Sequence, residues 1–431
     1  MNPKDTVRTA MRLVDEHHEW FSRSLCMIAS ENLVSPLARE MLISDFCDRY
    51  AEGLPGKRYY QGLKYIDQIE TMAIELAKEL FRSNYADVRP TSATVANLGI
   101  LKALVLPGDV MTAHGVSDGG HISSAKFGAV GVRGLEPHPY PFDRDNMNID
   151  VDGTVRLIRT MKPKLCLFGM SLFLFPIPLK EVTDAAAEVG AHTWYDGAHV
   201  LGLIAGGEFQ DPLREGIEIL SGSTHKTLPG PQHGIIVANP KDEKTARKLS
   251  SGVFPGVVSN HHLHCVASLA VTLAEHMQFG RDYAVQVIKN AKTLGQAMYE
   301  RGFDVLCPHL GFTKSHMIAV DVSKQGGGRK VAEELEDANI ITNMNLLPWD
   351  PNAKSMNPSG IRLGVQELTR IGMRESEMAE VAEIIKSKVI DKKPTEQVRS
   401  DVAELRKKFN NIQYCFTDSE EAYKRYRIVR F

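Results

Sequence analysis

The sequence predicts an α/β protein: a large domain with a mostly parallel sheet covered by helices, then a smaller α+β C-terminal domain. Two observations support this fold class. The 431 residues exceed what one small hydrophobic core needs, so two domains are expected. Short apolar runs alternate with helical patterns up to about residue 239, and this alternation stops after Phe254-Pro255-Gly256. We therefore expect an N-terminal arm at 1–30, a large domain at 31–270 and a small domain at 271–431.

The first elements are predicted to be helices. Residues 4–25 are polar and amphipathic, which predicts an N-terminal helical arm. Ser35-Pro36 combines an N-cap residue with proline at the first helical position, so a helix should begin there and run to about Asp45. Apolar residues at helical spacing predict another helix from Lys64 to Phe81.

Five apolar runs are predicted to be buried strands of the large domain, with helices at 94–104 and 179–189. The runs are VMTAH (110–114), KLCLFG (164–169), HTWYD (192–196), IEILSG (217–222) and GIIVAN (234–239). Two helices are expected between about 262 and 301, then strands at FDVLC (303–307) and HMIAV (316–320), and a helix near 328–338. This succession predicts the smaller α+β domain.

Composition argues against several classes of function. The formal net charge of −2 gives no reason to expect nucleic acid or a membrane surface as a partner. No apolar run approaches the roughly 20 residues that cross a bilayer. The six cysteines are scattered without a CxxC pair, which is typical of reduced thiols in a cytoplasmic protein. A helix start or an interface patch explains the cluster HHLHC (261–265) better than a metal site does.

Lys226 lies in SGSTHKTLPGPQHG (221–234), between an apolar run and a turn rich in Gly and Pro. Taken alone, a lysine is usually a solvated cation. Because this one follows a predicted strand, we expect it at the carboxyl edge of the sheet, where such folds bind ligands. A partly desolvated amine there has a lowered pKa and can form a Schiff base with a carbonyl. Its neighbour His225 is a second candidate catalytic residue.

Asp196 ends the run HTWYD at the edge of the same predicted sheet. Alone, it is equally typical of a turn or an N-cap. Together with the downstream lysine it fits a carboxylate that keeps a pyridinium nitrogen protonated, which makes pyridoxal phosphate (PLP) a strong electron sink. His199 then either contacts the ring hydroxyl or simply packs in the core.

Three further segments could bind a phosphate, a cofactor ring and a carboxylate, respectively. Ser92, Ala93 and Thr94 precede a predicted helix whose N-terminus can cradle a phosphate, although Ser or Thr there is first of all a cap. His121 follows two glycines, in a backbone tight enough to lay an imidazole on a ring. Arg362 lies in the apolar run SGIRLG, where its guanidinium is either solvated or able to grip a carboxylate.

The chain resembles the serine hydroxymethyltransferases nearly from end to end. Similar segments follow the family's order: IASEN (28–32), YAEGLPGKRYYQG (50–62), DGGHIS (118–123), DGAHVLGLIAGG (196–207), STHKT (223–227), GPQHG (230–234) and SGIRLGVQELTR (359–370). The compact form looks most like the archaeal-type members. The resemblance implies fold-type I of the PLP-dependent enzymes and a homodimer with shared active sites.

By this resemblance, one set of residues binds PLP. Lys226 matches the lysine that holds PLP covalently, and Asp196 matches the partner of the pyridine nitrogen. His121 matches the histidine stacked on the ring, and His199 the one near its phenolic oxygen. The cofactor set is completed by Ser92, Ala93, Thr94, Ser171 and Tyr50.

A second set is implied for the substrates. Ser30 and Arg362 match the residues that bind the substrate carboxylate. The segment YAEG…RYY is expected to reach the neighbouring subunit's site, where Glu52 transfers protons. This set also includes Tyr59, Tyr60 and Asn345, and Tyr60 is counted with the catalytic residues too.

The reaction implied is reversible transfer of the serine hydroxymethyl group to a reduced pterin, either tetrahydrofolate or tetrahydromethanopterin, giving glycine. Departures from the family pattern concern the acceptor more than PLP. Met344 stands where the family usually has lysine, and SNH (259–261) replaces GGP in the loop offered to the partner subunit. His233 replaces a glycine and is expected close to Lys226.

Two other functions compete with this one. A related aldolase or transaldolase would cleave threonine-like β-hydroxy amino acids without a pterin, but it need not keep Glu52 with both tyrosines. A non-catalytic PLP-binding or scaffold protein would be expected to have lost at least one of the residues Lys226, Asp196, His121 and Arg362.

Overall fold

The computed structural model describes residues 2–418 and 420–429. The helices within these residues are α1 (Pro3–Ser22), α2 (Pro36–Met41), α3 (Lys64–Phe81), α4 (Ala93–Leu104), α5 (Ala129–Val132), α6 (Val151–Met161), α7 (Leu179–Glu188), α8 (Leu201–Ala205), α9 (Glu243–Val253), α10 (Leu263–Glu300), α11 (Gly328–Glu336), α12 (Gln366–Arg370), α13 (Glu375–Val389) and α14 (Thr395–Arg406).

The strands are mostly short. They are β1 (Leu25–Cys26), β2 (Gly53–Leu54), β3 (Lys57–Arg58), β4 (Tyr85–Asp87), β5 (Met111–Ala113), β6 (Pro137–Pro139), β7 (Phe142–Asp143), β8 (Asn148–Ile149), β9 (Leu165–Phe168), β10 (His192–Asp196), β11 (Ile219–Ser223), β12 (Gly234–Ala238), β13 (Asp304–Val305), β14 (Met317–Asp321), β15 (Ile340–Ile341), β16 (Asn343–Asn345) and β17 (Gly360–Gly364).

A seven-stranded sheet, in the order β4-β12-β11-β10-β9-β5-β6, organises the larger part of the chain. The pairs from β11 to β6 are parallel, whereas β12 runs antiparallel to both β11 and β4. The mostly parallel sheet is therefore confirmed, as are its five predicted strands. Strands β4 and β6 were not predicted, and β6 begins and ends with proline, which weakens any strand pattern.

Helices cover both faces of this sheet, because alternate residues of its strands enter two separate hydrophobic cores. Leu165 and Leu167 of β9 pack in one core with side chains of α4 and α9. Cys166 and Phe168 pack in the other, with side chains of α3, α7 and α10. This two-sided burial explains why the predicted strands read as continuous apolar runs.

The predicted helices α1, α3, α4 and α7 are confirmed, but the helix that begins after Ser35 is shorter than expected. It ends at Met41 rather than near Asp45. The Ser35 hydroxyl caps it by accepting from the Ala38 amide. Ile43 is 50% exposed, so no buried face continues beyond α2.

The two helices expected between residues 262 and 301 are one continuous helix, α10, so that prediction was wrong. Gly280 does not interrupt it but allows close packing, because a Cβ there would lie 2.5 Å from Cδ2 of the His276 ring. The Gly206 position likewise has room only for glycine beside the Gly280 carbonyl. His262 forms the N-cap of α10, so the HHLHC cluster is a helix start, as predicted.

The C-terminal part contains an antiparallel four-stranded sheet, in the order β13-β14-β17-β16. The predicted strands β13 and β14 and helix α11 are confirmed. The domain boundaries stay predictions, and the one at residue 270 falls inside α10. All six cysteines are free thiols. No helix in the described part of the chain is long and apolar enough to cross a membrane.

Candidate active site

Two neighbouring strands of the large sheet bring Lys226 and Asp196 to the same edge. Asp196 is the last residue of β10 and pairs with Ser221 of β11, and Lys226 follows the end of β11 at Ser223. Because these strands are parallel, their carboxyl ends meet at one edge of the sheet. The predicted placement of both residues is therefore confirmed.

A cavity of about 200 Å³ opens at this edge. It brings together eight residues predicted for the site: Ser92, Ala93, Thr94, Asp196, His121, His199, His225 and Lys226. Gly169 also lines it and has a φ of +143°, and a Cβ there would lie 2.4 Å from the Asp196 carbonyl oxygen. Glycine is required at that position for both reasons.

The Lys226 side chain is desolvated, with 8% of the residue exposed. Burial lowers the pKa of Lys226 to about 8, although the negative charge of Asp196 opposes the shift. About one tenth of such amines are neutral at pH 7, whereas almost none are at an ordinary lysine pKa. The amine is thus prepared to attack a carbonyl.

Hydrogen bonds hold the Asp196 carboxylate on both oxygens. Oδ1 accepts from the Ala198 amide over 3.0 Å, and Oδ2 accepts from the Asn97 side-chain amide over 2.7 Å. These two donors fix the position of the carboxylate. A carboxylate held at this edge can accept a hydrogen bond from a protonated ring nitrogen.

The N-terminus of α4 points into the same cavity. Ser92 is its N-cap, and its hydroxyl accepts from the Val95 amide, so the capping role foreseen as the simpler explanation is present. The backbone of β12 passes very close, since a Cβ at Gly234 would lie 2.2 Å from the Ser92 carbonyl oxygen. The first amides of a helix suit a phosphate group.

Three histidines around the cavity are held neutral. Burial lowers the pKa of His225 to about 4 and lowers the pKa of His121. Burial, together with the positive charges of Lys226 and Arg362, lowers the pKa of His199 well below its usual range. The buried Nδ1 atoms of His199 and His225 have no hydrogen-bond partner among the described residues.

Arg362 is a buried cation on β17, with 6% of the residue exposed. Its Nη1 donates to the Ser171 carbonyl over 2.8 Å and lies 3.3 Å from the Ser171 hydroxyl, and Nε donates to Asn343. No carboxylate of the described residues pairs with it, and burial lowers the pKa of Arg362 to about 10. Its Nη2 has no partner in the described part of the chain and is available for an anion.

Replacing Arg362 with methionine is expected to separate stability from substrate binding. The ligand-free protein should not lose free energy of unfolding, because an unpaired buried charge is removed. The KM for a substrate that carries a carboxylate should rise by roughly 100-fold, the order expected when a buried charge partner is lost. Thermal unfolding and steady-state kinetics measure the two effects. Arg362→Lys keeps the charge but loses the forked guanidinium geometry. Its KM should lie between those of the unaltered protein and Arg362→Met. A lower unfolding temperature with unchanged KM would contradict this role.

Ser30 lies outside the Lys226 cavity, in an adjoining one of about 360 Å³. His225 lines both cavities. From the same IASEN segment it is Asn32 that reaches the catalytic loop, because its Nδ2 donates to the Lys226 carbonyl over 2.6 Å. The predicted contact of Ser30 with a substrate carboxylate stays a prediction.

The residues predicted from YAEG…RYY lie on the surface of the chain, away from this cavity. Tyr50, Tyr59 and Tyr60 are 44%, 73% and 45% exposed. The Ser259 hydroxyl donates to Glu52 Oε1 over 2.6 Å and lies 3.0 Å from the Tyr50 hydroxyl. The structure thus groups Tyr50, Glu52 and Tyr60 with the SNH loop and does not bring them to Lys226.

A buried ion cluster supports this surface group. Arg58 Nη1 donates to the carbonyls of Ala51 and Gly53, which holds the backbone on either side of Glu52. The same guanidinium pairs with Glu70 over 2.6 Å, and Glu70 also contacts His261 of the SNH loop over 2.8 Å. These partners fix the segment firmly although it faces outwards.

Three other singled-out residues do not line the Lys226 cavity. His233 is buried and donates from Nε2 to the Val88 carbonyl, so its ring turns away from the cavity instead of crowding Lys226. Asn345 lies on β16, where its amide donates to the Leu346 carbonyl. Ser171 accepts from Arg362 through its carbonyl over 2.8 Å.

Asn97 is the clearest residue that the sequence analysis missed. It lines the cavity and binds Asp196, although 99 residues separate the two in sequence. One signal could have revealed it: Asn97 lies one helical turn after Ala93, on the face of α4 that begins at the predicted phosphate cradle.

A comparison with solved structures supports the same architecture. The chain superposes on the crystal structure of L-threonine transaldolase from Pseudomonas fluorescens in its internal aldimine state, with a TM-score of 0.88 and 28% identity, over 97% of this chain and 95% of the other. The fold and its cavity therefore define a fold-type I PLP-dependent enzyme.

Sequence comparisons narrow this class. The family model for serine hydroxymethyltransferase matches residues 4–385. Serine hydroxymethyltransferases of Picrophilus torridus (58% identity over 96% of both chains) and Methanopyrus kandleri (53% over 96% of both) are among the similar proteins. The enzyme of Methanocaldococcus jannaschii is 55% identical over 94% of this chain and 95% of its own. The chain belongs to the serine hydroxymethyltransferase family, so it is an enzyme.

The residues present fit PLP. A desolvated amine, a hydrogen-bonded carboxylate and a helix N-terminus surround one cavity, as an aldehyde, a ring nitrogen and a phosphate require. The buried Nδ1 of His199, which has no partner in the described part of the chain, suits a polar oxygen. Lys226, Asp196 and the α4 N-terminus would hold the cofactor.

Proposed function

We propose that this protein transfers the hydroxymethyl group of serine reversibly to a reduced pterin of the tetrahydrofolate or tetrahydromethanopterin type, giving glycine. The observation that carries the proposal is the desolvated amine of Lys226. Burial lowers its pKa, and the nearby charges of Asp196 and Arg362 raise and lower it respectively. The names of the archaeal relatives support the same reaction.

When bound, PLP supplies the electron sink that stabilises charge at serine Cα while the Cα–Cβ bond breaks. Lys226 would hold the cofactor aldehyde, and Asp196 would keep the ring nitrogen protonated. His121 would lie on the ring, with Ser92, Ala93 and Thr94 at the phosphate and Ser171 and Tyr50 as further contacts.

Arg362 would orient the substrate. Its buried Nη2, which has no partner among the described residues, can bind a carboxylate. Holding that group would orient the substrate, and cleavage of its Cα–Cβ bond depends on this orientation. Ser30 and Asn345 complete the substrate set in this proposal.

We also propose that two chains form a homodimer in which each supplies Glu52, Tyr50, Tyr59 and Tyr60 to the other's site. Three of these are large, exposed aromatic residues on a rigid segment, as a surface awaiting a partner would have. Glu52, with Tyr60 nearby, would accept the serine hydroxyl proton and return it during transfer to the pterin.

Serine cleavage with and without pterins tests the proposed reaction. PLP-loaded protein is given serine with tetrahydrofolate, with tetrahydromethanopterin or with no pterin, and glycine formation is followed. We expect one pterin to accelerate glycine formation strongly, while threonine is cleaved slowly. The alternative activity is that of an aldolase or transaldolase, because the similar solved structure is an L-threonine transaldolase. Rapid threonine cleavage that no pterin affects would replace the proposal with an aldolase or transaldolase.

A further inference from the structure

A chain of three hydrogen bonds ends on Asp196. Trp194 Nε1 donates to the Ser221 hydroxyl over 2.8 Å, and that hydroxyl donates to Asn97 Oδ1 over 2.9 Å. Asn97 Nδ2 then donates to Asp196 Oδ2 over 2.7 Å. All four residues are buried, with at most 8% of any of them exposed. Water therefore has little access to these three hydrogen bonds, which lie in a region of low dielectric constant.

The direction of these hydrogen bonds is fixed by the two end members. A carboxylate oxygen only accepts, so the Asn97 amide turns its NH2 group to Asp196, and the flipped orientation would place Oδ1 of Asn97 against a second acceptor. Oδ1 of Asn97 then faces Ser221 and accepts the single Ser221 proton. An indole N–H can only donate, so the Ser221 oxygen accepts from Trp194.

The fold brings these residues together through two strands and one helix. Trp194 and Asp196 are two residues apart on β10 and so point to the same face of the sheet. Ser221 of β11 is the direct register partner of Asp196. Asn97 comes from α4, whose N-terminus also lines the cavity. One helix therefore supplies both the predicted phosphate cradle and the side chain that binds Asp196.

We propose that Trp194, Ser221 and Asn97 are positioning residues that hold the Asp196 carboxylate oriented toward the ring nitrogen of the cofactor. Only Asn97 touches Asp196, and the other two act through it. This inference rests on the proposed function only in that Asp196 meets that nitrogen. A carboxylate held in position binds the ring N–H better than a misplaced one, so these hydrogen bonds affect how tightly PLP is held.

The affinity of the PLP-free protein for PLP tests this inference without measuring turnover. Asn97→Ala removes a hydrogen bond to a charged group, so the PLP dissociation constant should rise by roughly 10- to 100-fold. Asn290→Ala is the matched control, because Asn290 is also buried and makes three hydrogen bonds but lies away from the cavity. The control should lose stability and keep its PLP affinity.

A double-variant comparison separates positioning from general packing. Ser221→Ala and Trp194→Phe should each weaken PLP binding by roughly 3- to 10-fold, since Trp194→Phe removes one neutral hydrogen bond of the series and Ser221→Ala removes two. In the Asn97→Ala background, Ser221→Ala should cause no further loss, because its route to Asp196 has already been removed. If Asn97→Ala does not fold, the two milder variants carry the test.

Two results would overturn the inference. One is full PLP affinity in Ser221→Ala and Trp194→Phe. The other is strictly additive losses when Asn97→Ala and Ser221→Ala are combined, which is the behaviour of independent packing defects. Failure of the unaltered protein to bind PLP would instead contradict the proposed function, so the two failures are distinguishable.

Discussion

Lys226→Ala is expected to reduce serine–glycine interconversion by at least about 10³-fold, the order expected when a nucleophile or general base is lost. Lys226 is the only lysine among the residues that line the cavity in the described part of the chain, so no other amine replaces it there. The variant should also lose the yellow colour of the PLP-loaded protein. Its ligand-free form should remain as stable as the unaltered protein, because burying that amine already costs free energy.

Turnover, the visible spectrum after dialysis and thermal unfolding measure these effects together. Lys241→Ala is a suitable control, since Lys241 is exposed and donates to the Ala191 carbonyl outside the cavity. We expect the control to remain active and coloured. A Lys226→Ala protein that keeps its colour and turns over within tenfold of the unaltered enzyme would contradict the assigned role.

Mixing two inactive variants is expected to restore activity if the active sites are shared. Glu52→Gln should lower hydroxymethyl transfer by roughly 10²- to 10⁴-fold, because it removes a proton-transfer group. A heterodimer of Lys226→Ala and Glu52→Gln chains contains one site with both residues intact, provided that Glu52 acts in the other subunit. Random pairing then gives about a quarter of the unaltered activity.

The exposed position of the Glu52 segment motivates this experiment. Glu52 is bound by Ser259 on the surface of its own chain rather than at Lys226. The two variants are unfolded together, refolded and assayed, with each variant refolded alone as the control. Activity no higher than that of the separate variants would mean that Glu52 does not act across a dimer.

The edge of the sheet could be predicted from the sequence for a simple reason. Apolar runs that are buried on both faces are continuous, so their ends are visible in the sequence, and Asp196 and Lys226 stand at two such ends. Parallel strands place those ends together, which makes the pairing of the two residues a consequence of fold class. The capping serine of α4 could also be predicted, because a serine just before a helix is a local sequence signal.

Contacts between distant parts of the chain could not be predicted in this way. Asn97 looks like an ordinary polar residue inside a helix, and only the packing of α4 against β10 and β11 gives it Asp196 and Ser221 as partners. The sequence does not distinguish the continuous helix α10 from two shorter helices, because a glycine such as Gly280 gives the same local signal whether it ends a helix or packs closely inside one.

The surface group around Glu52 shows another limit. Motif similarity indicated that Tyr50 and Glu52 act together, but it gave no account of what replaces the family's glycines in the SNH loop. In the structure Ser259 binds Glu52, while Asn260 accepts from the Ala51 amide over 2.8 Å. The substituted side chains therefore make specific contacts with the segment, which their residue types alone did not indicate.

The covalent attachment of PLP to Lys226 is the central claim, and chemical trapping tests it most directly. The PLP-loaded enzyme is reduced with borohydride, which makes the bond between cofactor and lysine permanent, and is then digested and analysed by mass spectrometry. We predict the added mass on the peptide that contains Lys226. An active enzyme with the mass on another lysine, or with no labelled peptide, would contradict the claim.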